Sequence, residues 1–448
     1  MNHSMDFPHF PPGFVWGAAT AAYQIEGGVR DAYRGESIWD RFSHTPGKTL
    51  QGQTGDVACD HFHRWRQDVA LMAELGLQAY RFSIAWPRIQ PQGRGTVNQV
   101  GLDFYDQLVD GLLRHNIQPF ITLYHWDLPQ ALQDLGGWSN RDLVGYFTDY
   151  AVAVARRLAD RVRHWITFNE PHVFAFMGHF SGEHAPGLKD LTAALQTAHH
   201  TLLAHGEAYR AMRANTPSGT RVGITLDLYH VDAVSDSLAD VEAARRYDGH
   251  LNRWFLEPLF SGRYPEDMID LYQGYGPQGD LDDLGGLPGT VDFLGINNYF
   301  RQVVGYRKDP PFDVAIHQPQ GNRYTEMGWE VYPTGLYELL LRVQRDYAPP
   351  AVYITENGAA FADVLQPDGV VDDPERIEFL SAYTRAASRA LDEGVPLKGY
   401  FVWTLMDNFE WALGYSKRFG LVYVDYPTQE RIVKRSGHWY REMIAGQG

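Results

Sequence analysis

Eight short apolar runs, rich in β-branched and aromatic residues, alternate along this chain with longer amphipathic stretches. The runs lie near residues 14–24, 79–86, 119–125, 165–170, 222–228, 293–299, 352–356 and 400–406. Amphipathic stretches lie between several of them, such as 65–75, 104–115, 143–158 and 377–393. A strand followed by a helix, eight times over, predicts an α/β fold, the (β/α)8 TIM barrel.

The length of 448 residues would by itself favour two or three domains. An α/β barrel can exceed 400 residues as one domain when its loops are long, and no Ser/Gly/Pro-rich linker divides this sequence. We therefore expect a single domain over residues 1–448, with long βα-loop insertions over the C-terminal face of the barrel. These insertions would follow the first, fourth, fifth, sixth and eighth strands.

Polar side chains stand where the predicted strands end. These strand-end residues are Gln24, His125, Asn169, Glu170, Asn297, Tyr299, Glu356 and, past Trp403, Asp407. The loops that follow the strands of such a barrel build the active site at the C-terminal ends of the strands. Strands that simply end in turn-forming residues would not explain this set of amides, imidazole, carboxylates and indole, so the pattern predicts a catalytic face.

Two of these residues are glutamates in short distinctive strings, Glu170 in TFNEP (167–171) and Glu356 in ITENG (354–358). Either one alone could cap a helix or pair with an arginine. Together they suggest glycoside hydrolysis, which needs a proton donor for the leaving oxygen and a second carboxylate for the oxocarbenium-like carbon. That chemistry predicts no metal and no organic cofactor. A GxGxxG match at Gly274, Gly276 and Gly279 contains Pro277 and follows no strand, so it does not indicate dinucleotide binding.

The formal net charge of −16 and the sequence pI near 5.5 argue against nucleic acid and anionic membranes as partners, and a neutral substrate remains natural. The first 14 residues contain no apolar stretch typical of a signal peptide, and no later run is long enough to span a membrane. We therefore expect a cytoplasmic location. With Cys59 as the only cysteine, no intrachain disulfide can form.

Four tryptophans, at positions 126, 138, 329 and 411, fall in the loops predicted to cover the pocket. A sugar ring presents an apolar C–H face that stacks on indole, so each is a candidate for substrate contact.

Eight strings resemble those of the family 1 β-glucosidases among the glycoside hydrolases. They are FVWGAATAAYQIEGG (14–28), YRFSIAWPRI (80–89), LYHWDLPQAL (123–132), TFNEP, GINNY (295–299), ITENG, WTLMDNFEW (403–411) and YSKRFGLVYVDY (415–426). The likeness covers nearly the whole chain. It implies a retaining enzyme that hydrolyses terminal β-D-glucosyl residues through a covalent glycosyl-enzyme, acting on small β-glucosides or oligosaccharides.

The resemblance also implies a role for each matching residue. Glu356 would be the nucleophile and Glu170 the acid/base, with Arg81, Asn297 and Tyr299 around the nucleophile. The sugar would be held by Gln24, His125, Asn169, Glu410 and Trp411, with Trp403 as a stacking floor and Trp329 on the aglycone side. His172, Ala85 and Asn298 depart from the commoner pattern at positions that bear on the aglycone.

Relatives that act on 6-phosphorylated sugars have a serine where this chain has Glu410, and a lysine and a tyrosine matching Lys417 and Phe419. Only the lysine is present here, so we expect an unphosphorylated sugar beside Glu410 and Phe419. Broad β-galactosidase or β-fucosidase activity and transglycosylation stay open as alternatives, and so does a catalytically inactive carbohydrate-binding barrel. The oligomeric state is open as well.

Overall fold

Eight parallel strands form a closed barrel in the computed structural model, which describes residues 7–277 and 281–447. They are β1 (Val15–Ala19), β2 (Ala79–Ser83), β3 (Gln118–Tyr124), β4 (His164–Asn169), β5 (Arg221–Asp227), β6 (Leu294–Asn297), β7 (Val352–Asn357) and β8 (Leu397–Trp403). Each strand pairs with its neighbours in the sequence, and β1 pairs with β8 to close the ring. The prediction of a (β/α)8 barrel is confirmed.

The α-helices of the described residues follow the strands and include the four predicted amphipathic stretches. Their bounds are Ala22–Ile25, Ile38–Ser43, His61–Glu74, Trp86–Ile89, Gln99–Arg114, Gln130–Gln133, Asp142–Leu158, Leu191–Asn215, Leu238–Asp248, Trp254–Ser261, Glu266–Leu271, Pro333–Tyr347, Pro374–Asp392 and Arg435–Ala445. Helix Gln99–Arg114 shows why they form: its residues 102, 105, 108, 109 and 112 are buried, at the three- and four-residue spacing of one helical face. No helix among the described residues is long and apolar enough to cross a membrane.

The first and last strands are shorter than predicted. β1 ends at Ala19, and Gln24 lies in the short helix Ala22–Ile25 that follows it. β8 ends at Trp403, and the Asp407 side chain is buried in ion pairs with Arg418 and Lys434. The predicted strand ends were therefore wrong at these two places, because the apolar residues that continue each run leave the barrel sheet: Ala22–Ile25 form a helix, and Met406 bridges Val422 of the hairpin beyond the barrel. Asp407 is not part of the site.

The register of the strands brings several polar residues to one level of the barrel. Asn297 of β6 is paired with Asp227 of β5 on one side and with Glu356 of β7 on the other. Irregular pairing occurs between Ile354 and Glu356 and, in β4, just before Asn169. Such irregularities re-aim side chains at barrel rims, and here they lie directly before the two candidate glutamates.

The long segments beyond the strands cover this face, as expected. They include a three-stranded sheet (Val231–Ala233, Gln302–Tyr306, Val314–His317), an antiparallel hairpin (Val422–Asp425, Glu430–Val433) and the π-helices Val173–Ser181 and Gly249–Arg253. Short 3₁₀ turns span Asp31–Tyr33, Leu50–Gly52, Gly137–Ser139, Leu281–Gly286 and Trp411–Leu413. Gly279 of the GxGxxG match lies outside the described residues.

Candidate active site

Glu356 lies at the C-terminal end of β7, held by two donors. The Arg81 guanidinium donates to Oε1, and the Tyr299 hydroxyl donates to Oε2 across 2.5 Å. Burial raises the pKa of Glu356, and the charge of Arg81 and the hydrogen bond from Tyr299 oppose that rise. These two donors therefore favour the ionised form of the carboxylate, the form that a nucleophile needs.

Arg81 is fixed by the strands around it. Its Nε donates to the Thr122 hydroxyl (3.1 Å), Nη1 to the Thr355 carbonyl (3.2 Å) and Nη2 to Asn169 Oδ1 (2.6 Å). These contacts join β2, β3, β7 and β4 through one buried side chain. Because each nitrogen has a partner, the guanidinium holds its orientation without relying on Glu356.

Glu170 follows β4 directly and has a left-handed backbone, with φ of 48°. A non-glycine residue in this region is strained, and such strain is common at functional sites. Its Oε1 accepts a hydrogen bond from Asn297 Nδ2 (2.7 Å). Burial, then the charge of Glu356 and that of Asp227, raise the pKa of Glu170 well above its usual range. The surroundings of Glu170 therefore favour its protonated form, whereas the two donors to Glu356 favour its ionised form, which matches a general acid beside a nucleophile.

Asn169 connects these groups to His125. Its Oδ1 accepts from Arg81 and from Asn297 (3.0 Å), so its amide NH₂ is the group that faces His125 Nε2 at 3.1 Å. Burial and the nearby Arg81 charge hold the pKa of His125 well below 6.5. The neutral ring therefore accepts at Nε2 and carries its proton on Nδ1, where it can donate to a sugar hydroxyl.

A second polar group lies at the far end of the site. Gln24 Nε2 donates to Asn408 Oδ1 (3.1 Å) and to the Phe409 carbonyl (2.9 Å), and lies 3.5 Å from Glu410 Oε2. The Gln24 amide oxygen is buried without a partner among the described residues and can accept from a sugar. Burial and the charge of Glu356 raise the pKa of Glu410 to about 8.

A cavity of about 1350 Å³ opens over these groups. Ten predicted site residues line it, namely His125, Trp126, Glu170, Tyr299, Trp329, Glu356, Trp403, Glu410, Trp411 and Phe419. The other four, Gln24, Arg81, Asn169 and Asn297, lie behind this lining and hydrogen-bond to its members or to one another. The structure therefore brings these fourteen residues together.

Aromatic rings form the wall of the cavity. Trp126 and Trp411 have ring centroids 4.6 Å apart, and Trp403 lies over His125 in a stacked arrangement at 5.9 Å. Trp329 stacks on Phe300 at 5.0 Å on the other side of the opening. These rings offer flat apolar faces to a sugar and to its leaving group.

Trp138 does not belong to this wall. Its side chain is 1% exposed and packs against Tyr124 and Phe168 under the barrel rim. Its assignment as a pocket tryptophan was wrong, because a loop between strand and helix can bury its aromatic residue as core.

Sequence reasoning missed Asp227 and His250. Asp227, the last residue of β5, lies one strand from Asn297, and His250 lines the cavity near Glu170 together with His172, which the sequence had associated with the aglycone. The polar end of the fifth strand was a usable signal for Asp227, by the rule that found the other strand ends. Nothing in the local sequence indicates His250, which reaches the site from the π-helix Gly249–Arg253.

Comparison with known proteins identifies the family to which this sequence is similar. Glycosyl hydrolase family 1 matches residues 7–448 as a sequence family. The chain is 49% identical over 444 residues to Beta-glucosidase A of Acetivibrio thermocellus, covering 98% of this chain and 99% of that protein. It is 48% identical over 446 residues to Beta-glucosidase A of Thermotoga maritima, covering 99% of each.

The solved family 1 β-glucosidase from Thermotoga maritima in complex with isofagomine lactam has a similar structure. It superposes with a TM-score of 0.96 at 48% sequence identity, covering 99% of this chain and 100% of that one. The resemblance read from the motifs is confirmed, and the chain belongs to glycosyl hydrolase family 1.

Proposed function

We propose that this chain is a retaining β-glucosidase in which Glu356 is the nucleophile and Glu170 the acid/base. The observation that carries the proposal is the unequal setting of the two carboxyls: Glu356 receives Arg81 and Tyr299, whereas Glu170 is buried beside negative charge. Glu356 attacks the anomeric carbon while Glu170 protonates the leaving oxygen. Once the glycosyl-enzyme forms, the charge of Glu356 is gone, and Glu170 can take a proton from water.

The remaining residues would bind the sugar. His125 and Asn169, adjacent in the hydrogen-bond network, offer donors near the acid/base, and Gln24 with Glu410 offers acceptors at the far end. Trp126, Trp403 and Trp411 provide the apolar surface for the sugar ring. Trp329 borders the aglycone side of the cavity, and Phe419 borders its far wall. Asn169 is well placed for the 2-hydroxyl, a contact that strengthens in the transition state.

The substrate we propose is a small, unphosphorylated β-glucoside or cello-oligosaccharide. Glu410 stands in place of the serine and Phe419 presents no hydroxyl, so two of the three phosphate ligands of 6-phosphate enzymes have no counterpart. The third, Lys417, donates to the Glu326 carbonyl at 2.6 Å. Activity on β-galactosides and β-fucosides, and transfer to sugar acceptors, share this machinery and remain open alternatives. An inactive sugar-binding barrel would have no need of the unequal carboxyls.

Trapping the intermediate tests the proposal. A 2-deoxy-2-fluoro β-glucoside with a good leaving group should inactivate the enzyme, and mass spectrometry of a protease digest should find the sugar on the peptide that contains Glu356. Label on another residue, or no label while hydrolysis of glucosides proceeds, would contradict the assignment.

The expected cytoplasmic location is supported by the single buried cysteine, Cys59, and is tested by cell fractionation.

A further inference from the structure

A buried row of polar side chains leads away from the acid/base along the cavity wall. Asp227 Oδ2 lies 3.0 Å from His172 Nδ1, His172 Nε2 lies 3.3 Å from His250 Nε2, and His250 Nδ1 lies 2.8 Å from the Tyr272 hydroxyl. All four residues are less than a tenth exposed. Buried polar groups at these distances are hydrogen-bonded, so the row forms one connected network.

The row begins next to Glu170. Asp227 and Asn297 are register partners on adjacent strands, and Asn297 donates to Glu170. His172 is two residues after Glu170 in the chain. The Asp227 carboxylate is therefore a second negative charge at the acid/base, besides Glu356, and it contributes to the raised pKa of Glu170.

Two proton arrangements satisfy the row without moving a heavy atom. In the first, His172 is a cation that donates to both Asp227 and the neutral His250, which then donates to the Tyr272 hydroxyl. In the second, Tyr272 donates to His250, which donates to a neutral His172, which still donates to Asp227. Burial and the neighbouring His172 hold the pKa of His250 well below 6.5, so His250 is the neutral ring in both arrangements.

The two arrangements differ in the net charge that Asp227 and His172 together place beside Glu170. In the cationic form His172 offsets Asp227, and in the neutral form the Asp227 charge is uncompensated. We propose that Asp227 and His172 form a positioning pair for the acid/base, in which the Asp227 carboxylate keeps Glu170 in its proton-donating form. This inference rests on the proposed role of Glu170.

The other groups that face Glu170 among the described residues do not neutralise the charge of Asp227. They are Glu356 from β7, Arg81 from β2 and the phenols Tyr229 and Tyr299, which stay protonated because burial raises their pKa values. Arg81 is engaged with Glu356 and Asn169, so it is not the counter-ion of Asp227. Among the described residues, His172 is the group in ion-pair contact with Asp227.

The pair is tested by the pH dependence of Asp227→Asn, which keeps the shape of the side chain and removes its charge. With cellobiose, the alkaline limb of kcat/KM should move down by about one pH unit, the order expected for the loss of one nearby charge. With a dinitrophenyl glucoside, whose slow step is deglycosylation, the acidic limb of kcat should also move down, because Glu170 then acts as base. A purely structural role would lower rates and leave both limbs in place.

His172→Gln is the second variant. With cellobiose, this substitution should leave the alkaline limb of kcat/KM at or above its wild-type pH. Because His172 acts through Asp227, the substitution should have no further effect on the limb in the Asp227→Asn background. Asp292→Asn is the matched control: Asp292 accepts from the Val222 amide and Tyr209 at the opposite end of the barrel, so its pH profile should match the wild type. Unchanged limbs in Asp227→Asn would overturn the inference.

Glu170→Ala separates this inference from the proposed function. If Asp227→Asn still moves the pH limbs in the Glu170→Ala background, the pair does not act on Glu170 and the inference fails alone. If Glu170→Ala itself keeps the wild-type dependence on leaving group and pH, the acid/base assignment fails, and the inference fails with it.

Discussion

The distinct settings of the two glutamates are the residue-scale basis of this account. Glu356 receives a guanidinium and a phenol, and Glu170 receives one amide and lies beside negative charge. Their strings, TFNEP and ITENG, were sufficient to predict them. The sequence could not predict how the charge is divided between them, since that depends on Arg81 from β2 and on Asn297 and Tyr299 at the end of β6.

Removing each carboxyl should give different leaving-group dependence. Glu170→Ala is expected to lose about 10²- to 10⁴-fold in kcat/KM on alkyl glucosides and much less on activated aryl glucosides, whose departure barely needs a proton. Azide should restore its turnover as a β-glycosyl azide. Glu356→Ala should be nearly inactive on both. The measurement is steady-state kinetics across a leaving-group series, and equal losses for both variants on all substrates would contradict the assignment.

Glu410 should discriminate against 6-phosphates in a pH-dependent way. Its pKa of about 8 means that the carboxyl is largely neutral below that pH and charged above it. A carboxylate about 4 Å from a phosphate costs about 4 kcal/mol at an effective dielectric near 20, or roughly a thousandfold. The ratio of kcat/KM for cellobiose to that for its 6-phosphate should therefore rise as pH increases through 8.

Glu170 and Glu356 serve both substrates, so their titration cancels in this ratio. In Glu410→Gln the ratio should lose its pH dependence, and activity on cellobiose should fall strongly. Comparable kcat/KM on the two substrates at all pH values would refute the role of Glu410.

At the scale of elements, the strand interiors were predictable and the strand ends were less so. β2 to β7 lie within a few residues of their apolar runs, because each run is buried on both faces. β1 and β8 were predicted too long. Gln24 still reaches the site, since the helix Ala22–Ile25 carries it beside Glu410.

Tertiary packing also gives Gly358 a role that its position in ITENG does not reveal. A Cβ at residue 358 would lie 1.7 Å from the Trp403 carbonyl oxygen, so only glycine fits at this position beside Trp403. The position of Trp403 in the cavity wall therefore depends on this close approach.

The loop above β8 is tied to the C-terminal segment by a buried ion-pair network. Lys434 Nζ lies 2.6 Å from Asp407 and also pairs with Asp363, which contacts Arg376. Lys434→Met removes one partner and leaves buried carboxylates with less compensation, so we expect a loss of about 3 kcal/mol in the free energy of unfolding.

Urea unfolding followed by tryptophan fluorescence measures this loss. Lys398→Met is the control, since Lys398 is an exposed residue of β8 and its removal should change stability by no more than about 0.5 kcal/mol. A Lys434 variant as stable as the control would show that the network contributes nothing net.

At the scale of the whole molecule, both ends of the chain are needed to close the barrel. Val15–Ala19 of β1 pairs with residues 399–403 of β8, so the most distant strands in the sequence are neighbours in space. This pairing supports the expectation of one domain, despite a length that suggested several. The eight-fold alternation predicted closure, but it could not predict the shapes of the loops over the site.

A fragment that ends at residue 396, and so lacks β8, should not form a folded barrel. It would leave the ladder edges of β1 and β7 unpaired and open the core to water. Near-UV circular dichroism and amide exchange should show no native tertiary structure, whereas the full chain should show both a near-UV spectrum and protected strands. A fragment with native-like protection would contradict the single-domain account.

The central claim, double displacement by Glu356 and Glu170, is tested most directly by the anomer released first. Proton NMR during the first moments of hydrolysis of an aryl β-D-glucoside should show β-glucose appearing before mutarotation produces the α-anomer, because two inversions at the anomeric carbon restore its configuration. If α-glucose appears first, water attacks the substrate directly, and the nucleophilic role of Glu356 is wrong.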